Sequence, residues 1–175
     1  MDTPFSPSSE QTASVSGAVG GRRFSLFLLR VSLGWLFFYA GVTKLLNPDW
    51  TAAGYIKGAK TFAGFYEALL SPSVLPLVDF LNEWGLTLVG LSLILGVMVR
   101  LSSVLGAILM LLYYFVVLDF PYPNEHSLIV DEHIIYAFAL LLLAYFRAGR
   151  VWGLERFCSN LPLCLKFPKL RQWLG

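Results

Sequence analysis

The chain has 175 residues, of which 57% are hydrophobic and only 14% are charged, and its mean hydropathy is +0.66. These values lie far outside the range of soluble domains and indicate a polytopic membrane protein, with the lipid bilayer as its first partner. The formal net charge of +2 is small, so the composition gives no reason to expect a nucleic-acid partner.

Residues 1–21 are rich in Ser, Thr, Pro and Gly and contain no Lys or Arg. Such a segment lacks the basic start of a signal peptide and cannot bury a core, so we expect a disordered tail. Four apolar windows follow, at about residues 24–46, 77–99, 101–120 and 128–146. Each approaches the roughly 20 residues that a helix needs to cross a bilayer. The chain is therefore predicted to be all-α, with a four-helix transmembrane bundle over residues 22–154 and a basic tail at 155–175.

The first window carries a face of small and cationic residues. Spacings of four and three place one stripe on the same side of the helix: Arg30, Gly34, Phe37, Gly41 and Lys44. Glycines at helix contacts in membranes let two backbones approach closely, so this face is predicted to point into the bundle. The alternative for Arg30 is that its guanidinium extends along the helix to the water interface.

The connection at residues 49–76 is long for a small bundle, and long connections are often functional. Its aromatic and aliphatic residues recur at roughly helical spacing, beginning with Trp50 and Tyr55. We predict an amphipathic outer segment between helices 1 and 2 that lies on the membrane surface or folds over the mouth of the bundle. The sequence leaves open whether this segment binds a ligand or only packs as a cap.

The second window begins with two carboxylates, Asp79 and Glu83, which share a helical face because they are four residues apart. Trp84 stands where an interfacial aromatic anchor is expected. Arg100 is predicted to end this helix, and Leu101 to begin the next one with almost no turn. That arrangement requires an antiparallel helical hairpin.

The stretch at residues 127–147, which contains the last window, is long enough to cross a bilayer, yet Asp131, Glu132 and His133 lie in its first two turns. Charged groups are costly in hydrocarbon, so such residues usually face a protein interior or a wet cavity. The alternative is that they lie at the level of the lipid headgroups and mark where the span begins. The sequence therefore predicts either a site for proton-coupled chemistry or a simple helix boundary.

Lys and Arg residues are concentrated near the chain termini and at Arg100, whereas residues 121–127 contain none. This bias predicts that both termini are cytoplasmic, and we expect the plasma membrane as the location. Cys158 and Cys164, in the C-terminal tail, are then expected to be reduced thiols without a catalytic role.

The outer half of this topology collects ionisable residues that can carry chemistry. Histidine titrates near neutral pH, so His133, with the carboxylates of Asp131 and Glu83, is the predicted acid–base group. A quinone headgroup accepts two electrons and two protons and suits a mouth with apolar walls and a few polar groups. Four further residues are predicted to position such a headgroup: Lys44, Trp50, Asp79 and Trp84. No motif indicates a metal or flavin site, and we expect neither.

Three stretches carry a recognisable pattern: RVSLGWLFFYAGVTKLLNP at residues 30–48, FLNEWGLTLVGLSLILGVMVR at 80–100 and VDEHIIYAFALLLLA at 130–144. Over residues 30–154 this pattern resembles the DoxX/DoxD family. The resemblance implies four transmembrane helices. For the DoxD branch it also implies a membrane subunit of a thiosulfate:quinone oxidoreductase, which transfers electrons from thiosulfate to quinone and yields tetrathionate.

The outer charges and the resemblance together favour a quinone-interacting oxidoreductase subunit of the thiosulfate:quinone type. A second oxidoreductase subunit is a candidate partner, and the sequence leaves open whether the chain acts alone. The alternative is a non-enzymatic membrane scaffold or assembly subunit, in which the outer charges only hold helix ends together. Assembly with further copies of the chain stays open. A transporter or channel is disfavoured, because the predicted midplane offers no ionisable residues for a polar path.

Overall fold

A computed structural model of the protein describes residues 9–155. Within them the chain forms six α-helices and no β-strand: α1 Ser9–Leu45, α2 Ala53–Ile56, α3 Ala63–Leu69, α4 Leu75–Leu95, α5 Val99–Val117 and α6 Glu132–Tyr145. A 3-10 turn, Ala148–Arg150, follows α6. The predicted all-α class is confirmed.

Three of the described helices are long and apolar enough to cross a membrane: Val19–Leu45 within α1, Leu75–Leu95 and Val99–Val117. Helix α1 packs against α4, α4 against α5, and α5 against α6, so the predicted bundle of membrane helices is confirmed. Aliphatic and aromatic side chains from these helices form its buried centre, among them Leu33, Phe37, Leu93, Met110, Leu140 and Leu143.

Helix α6 is shorter than the sequence predicts. Its 14 residues extend over about 21 Å at 1.5 Å each, against about 30 Å of hydrocarbon. The chain before it is not helical, because Ile129 has a left-handed backbone (φ 62°) and Asp131 is extended and caps the helix. Hydropathy does not register a change of backbone conformation, so the predicted start of this helix was too early.

The contact between α1 and α4 is a close approach of two backbones at glycine. A Cβ atom built on Gly90 of α4 would lie 2.2 Å from the backbone nitrogen of Phe38. One built on Gly41 of α1 would lie 2.5 Å from the backbone nitrogen of Thr87. Side chains cannot be accommodated at such distances, so the prediction that the glycine face of the first helix points into the bundle is confirmed.

Helix α4 ends at Leu95, before the predicted end at Arg100. Gly96 takes a left-handed conformation (φ 68°) that favours glycine and ends the helix. The backbone oxygen of Ser92 accepts from the N–H groups of Gly96 (2.9 Å) and Val97 (3.1 Å). Arg100 therefore lies in the first turn of α5, and the prediction that it ends α4 is wrong.

Arg30 is fully buried. Its Nη1 atom donates to the backbone oxygens of Ala148 (2.7 Å) and Val151 (2.9 Å). The residues after α6 thus fold back over α1, and the alternative in which this guanidinium reaches water is wrong. We call this end of the bundle the Arg30 end, and the opposite end, where α6 begins, the His133 end.

The segment between α1 and α4 folds over the His133 end, which is one of its two predicted placements. The Tyr66 hydroxyl donates to the backbone oxygen of Leu112 (2.7 Å), and the Thr61 hydroxyl donates to that of Leu118 (2.6 Å). A small apolar cluster joins the segment to α5: Ala52, Ile56, Tyr66 and Val116. Because its polar groups bond to α5, the segment packs as part of the bundle rather than lying apart on the membrane surface.

The N-terminal flank of the first span is helical. Helix α1 begins at Ser9, so residues 9–21 are helical where the sequence predicts a disordered tail. A helix that starts in an apolar span extends into its flanks without a new nucleation cost, which composition does not take into account. Cys158, Cys164 and the predicted basic tail after Glu155 lie outside the described residues.

Candidate functional site

Lys44, in the last turn of α1, connects three helices at the His133 end. Its Nζ atom donates to Oδ1 of Asn82 on α4 (2.7 Å) and to the hydroxyl of Tyr113 on α5 (3.1 Å). The same atom lies 4.6 Å from the centroid of the Trp50 ring, within the range of a cation–π contact. The ammonium group is thus held directly by two uncharged hydrogen-bond acceptors and an aromatic ring.

Asp131 and His133 form a hydrogen-bonded pair at the start of α6. Oδ2 of Asp131 lies 2.6 Å from Nδ1 of His133, and Oδ1 accepts from the backbone N–H of Ile134 (3.2 Å). The Asp131 side chain is 1% exposed. An ionised carboxylate can only accept hydrogen bonds, so we assign the Nδ1 proton to the imidazole and leave Nε2 for exchange with a ligand.

A cavity of about 350 Å³ lies between these groups. Its lining residues come from α1, α4, α5, α6 and the segment after α1: Lys44, Trp50, Thr51, Ala52, Tyr55, Asn82, Tyr113 and His133. The walls are largely aromatic, and the polar atoms are an ammonium, an amide, hydroxyls and an imidazole. In the described part of the chain, no group of three or more His, Cys, Asp or Glu side chains could hold a metal ion.

Asp79 positions one wall of this cavity without lining it. Its Oδ1 atom accepts from the backbone N–H of Ala52 (2.8 Å), and its Oδ2 atom accepts from the hydroxyl of Thr51 (3.0 Å). The carboxylate therefore anchors the residues next to Trp50 to the start of α4. This placement supports a positioning role for Asp79, as the sequence predicts, but through the wall and not through direct contact with a headgroup.

The structure brings together most of the site residues that the sequence predicts. Lys44, Trp50 and His133 line the cavity, and Asp131 lies directly behind His133. His133 faces the cavity and not lipid, and its side chain is 18% exposed. The chemical roles assigned to these residues stay predictions.

Glu83 and Trp84 are not among the residues that line the cavity. Glu83 is half-buried and its charge attracts Lys44 from outside the lining. Trp84 is 43% exposed, and its ring contacts that of Phe80 on the outer face of α4. The structure therefore gives Trp84 the position of an interfacial anchor and gives no support to its predicted contact with a headgroup.

Five of the residues that line the cavity are not among the predicted site residues, and three of these five bond to Lys44 or to each other. Asn82 is 6% exposed and bonds to Lys44, and the available signal was a polar amide inside an apolar window. Tyr113 joins the site because its hydroxyl bonds to Lys44. Tyr55 joins the site because its hydroxyl donates to the backbone oxygen of Tyr113 (3.2 Å), a contact between distant parts of the chain that no local pattern indicates.

The family model described as DoxX matches residues 25–119, more than half of the chain. The chain belongs to the DoxX family. The match runs from within α1 to the end of α5, including Lys44, Asn82 and Tyr113. It ends before Asp131 and His133, at the start of α6. The sequence resemblance extended further, to residue 154. Comparisons with curated proteins and with solved structures give no match.

Proposed function

We propose that this DoxX protein is the quinone-interacting subunit of a membrane oxidoreductase and that the cavity at the His133 end binds the quinone headgroup. The observation that carries the proposal is the pairing of Asp131 with His133 at 2.6 Å beside a cavity that also contains Lys44 and Tyr113. A quinone headgroup needs a proton donor, a hydrogen-bond donor for its carbonyl oxygens and flat apolar contact for its ring. The cavity contains an oriented imidazole, a cation and aromatic walls that can meet these needs.

The cavity fits a quinone ring in size and in chemistry. Its volume of about 350 Å³ falls within the range of small-molecule sites, roughly 300–1,000 Å³. The rings of Trp50, Tyr55 and Tyr113 provide flat apolar contact, and the Lys44 ammonium and Tyr113 hydroxyl are donors suited to carbonyl oxygens. When bound, a quinone accepts two electrons and two protons.

His133 is the residue that we propose moves a proton in this site. Asp131 accepts from Nδ1, which fixes the tautomer and the orientation of the ring. The Nε2 atom then donates a proton to the ligand and recovers one from water at the mouth. The same carboxylate caps α6 through Ile134, so the helix itself holds the pair in place.

Thiosulfate is the electron donor that the DoxD resemblance suggests. Two thiosulfate ions join through one new S–S bond, giving tetrathionate and releasing two electrons, and two protons accompany these electrons to the acceptor. We propose that a second subunit oxidises thiosulfate and that the DoxX chain provides the quinone site.

The experiment compares quinone reduction by the protein purified alone and together with any co-purifying partner. We expect thiosulfate-dependent reduction of a short-chain quinone in the sample that contains the partner. Reduction that depends on another donor would remove thiosulfate from the proposal. No reduction and no quinone binding in either sample would remove the oxidoreductase proposal as a whole.

A scaffold or assembly subunit is the second candidate, and one observation favours it. Lys44 joins α1 to Asn82 on α4 and to Tyr113 on α5, so the cluster also stabilises the bundle. The variant Lys44→Met distinguishes the two functions. If the protein is a scaffold, Lys44→Met should lower the stability and the assembly with a partner, and the wild type should show no saturable quinone binding. If the cavity is a quinone site, the wild type should bind quinone saturably and Lys44→Met should weaken that binding.

We also propose that the Arg30 end faces the cytoplasm and that the membrane is the plasma membrane. Arginines are grouped at that end of the described chain: Arg22, Arg23, Arg100, Arg147 and Arg150. Positively charged residues near span ends are retained on the cytoplasmic side, which supports this orientation. The His133 cavity would then open to the outer side, where a soluble donor subunit could dock.

A further inference from the structure

A second cavity, of about 720 Å³, lies at the Arg30 end, between the start of the α1 span and the turn after α6. Four arginines line it from two sides, Arg22 and Arg23 from α1 and Arg147 and Arg150 from the turn. No Asp or Glu is among its lining residues. The chemistry proposed for the His133 end does not use this cavity.

The cavity has a surplus of positive charge. Among the described residues, the carboxylate of Glu155 lies close to these arginines, with its Oε1 atom 3.5 Å from Nε of Arg150. One carboxylate cannot neutralise four guanidinium groups, so the described residues leave the cavity cationic. Guanidinium groups bind phosphate oxygens through paired hydrogen bonds, which makes a phosphate group a suitable counterion.

The wall that carries Arg147 and Arg150 is held by the protein interior. The buried Arg30 donates to the backbone oxygens of Ala148 and Val151, on both sides of Arg150. Arg147 has a left-handed backbone (φ 48°) at the start of the 3-10 turn. The backbone that carries Arg147 and Arg150 is therefore held beside α1, while the arginine side chains themselves are exposed.

The rim of the cavity is apolar and exposed. Trp152 is 63% exposed, and its ring contacts those of Phe24 (6.5 Å) and Phe27 (5.4 Å) on α1. Phe146 and Leu154 also line the cavity and are 44% and 45% exposed. Because this rim stands at the start of a membrane span, a ligand bound here can place a charged head among arginines and a hydrocarbon tail along the helices.

We infer that this cavity binds the phosphate group of an anionic phospholipid. The arginines of α1 and of the turn after α6 would hold the phosphate oxyanion between them. The acyl chains would lie against Phe24 and Trp152. A soluble phosphate compound shares the oxyanion but lacks the chains, so the two sources can be told apart by experiment.

The test uses the full chain purified in a neutral detergent, with native mass spectrometry to count retained lipids. Phosphatidylglycerol and phosphatidylcholine with the same acyl chains are compared, and inorganic phosphate is added in a separate series. We expect tighter retention of phosphatidylglycerol. Each of the variants Arg22→Gln, Arg23→Gln and Arg147→Gln should weaken the binding of phosphatidylglycerol about fivefold. The control variant Lys57→Gln, at the His133 end, should leave it unchanged.

Charge-conserving variants keep the test decisive. Arg22 and Arg147 are exposed, and Arg22→Lys and Arg147→Lys should retain more binding than the Gln variants if the site recognises a phosphate charge. Equal retention of the two lipids, or equal losses in Lys57→Gln and Arg147→Gln, would overturn the proposal. If inorganic phosphate binds to the protein and the two lipids are retained equally, the occupant is a soluble phosphate compound and not a lipid. None of these outcomes depends on quinone chemistry.

Discussion

The Nδ1 atom of His133 lies 2.6 Å from Oδ2 of Asp131, and the other oxygen of the same carboxylate accepts from the backbone N–H of Ile134. One buried side chain thus starts helix α6 and orients the imidazole that faces the cavity. A change at Asp131 affects both functions, and the variants must separate them.

Asp131→Asn and Asp131→Ala provide that separation. Asparagine is also a good helix cap, so Asp131→Asn should keep the stability close to that of the wild type but remove the charge beside His133. Asp131→Ala should lower the free energy of unfolding by about 0.5–2 kcal/mol through loss of the cap. We expect both variants to lose quinone turnover. If Asp131→Asn keeps full turnover, the carboxylate acts only as a cap.

The contact between α1 and α4 predicts a large effect from one methyl group. Gly90→Ala places a Cβ atom 2.2 Å from the backbone nitrogen of Phe38, so the two helices must separate. We expect a loss of about 1–3 kcal/mol in the free energy of unfolding, measured by reversible denaturation in detergent.

Gly85 is the matched control on the same helix. A Cβ atom there meets no other atom within 4 Å. Replacement of a helical glycine by alanine without a clash should stabilise the helix by about 0.5–1 kcal/mol. Equal effects of Gly85→Ala and Gly90→Ala would contradict the close approach of the two helices.

Glu155 predicts a pH dependence of stability at the Arg30 end. Burial raises the pKa of its carboxyl above the ordinary value of 4.5, while attraction by Arg150 opposes the shift. The folded state therefore holds this proton to higher pH than the unfolded state. The contribution of Glu155 to stability falls as the pH rises from 4.5 through the folded pKa.

Glu155→Gln removes this titration. The Tm of the variant minus that of the wild type should increase between about pH 4 and about pH 7.5. Glu125→Gln, in an exposed loop, is the control and should show no such trend. A Tm difference that is constant over this range, or that falls, would show that burial does not disfavour the ionised form of the Glu155 carboxyl.

The proposed orientation predicts which side of the membrane each loop faces. In a background with Cys158 and Cys164 replaced by serine, Glu125→Cys should react with a membrane-impermeant maleimide in intact cells. Gly21→Cys should react only after the membrane is opened, because positively charged span ends are retained in the cytoplasm. Labelling of Gly21→Cys in intact cells would reverse the assignment of the two ends.

Much of this architecture could be predicted from the sequence, because long apolar windows and glycine spacing reflect local helical geometry. The positions of Lys44 and His133 at one end follow from the order of the spans. Trp84 had two predicted roles, an interfacial anchor and a headgroup contact, and the sequence could not choose between them, since the periodicity of an apolar helix does not distinguish lipid from core.

The contacts of Arg30 and the start of α6 were also beyond local patterns. Arg30 bonds to Ala148 and Val151, which are distant in sequence, so only the folded chain shows why the charge is buried. The start of α6 depends on the backbone of Ile129 and on the cap at Asp131, and neither changes the hydropathy of the window. Sequence patterns predict elements well but not contacts of this kind.

Quinone binding to the purified protein tests the central claim most directly. A short-chain benzoquinone or naphthoquinone should bind saturably to the wild type, and His133→Ala should weaken binding about tenfold through loss of one hydrogen bond in a desolvated site. His126→Ala replaces the other histidine of the chain, which lies in an exposed loop, and should bind like the wild type. Absence of saturable binding to the wild type, or equal affinities of the two histidine variants, would contradict the assignment of this cavity to a quinone.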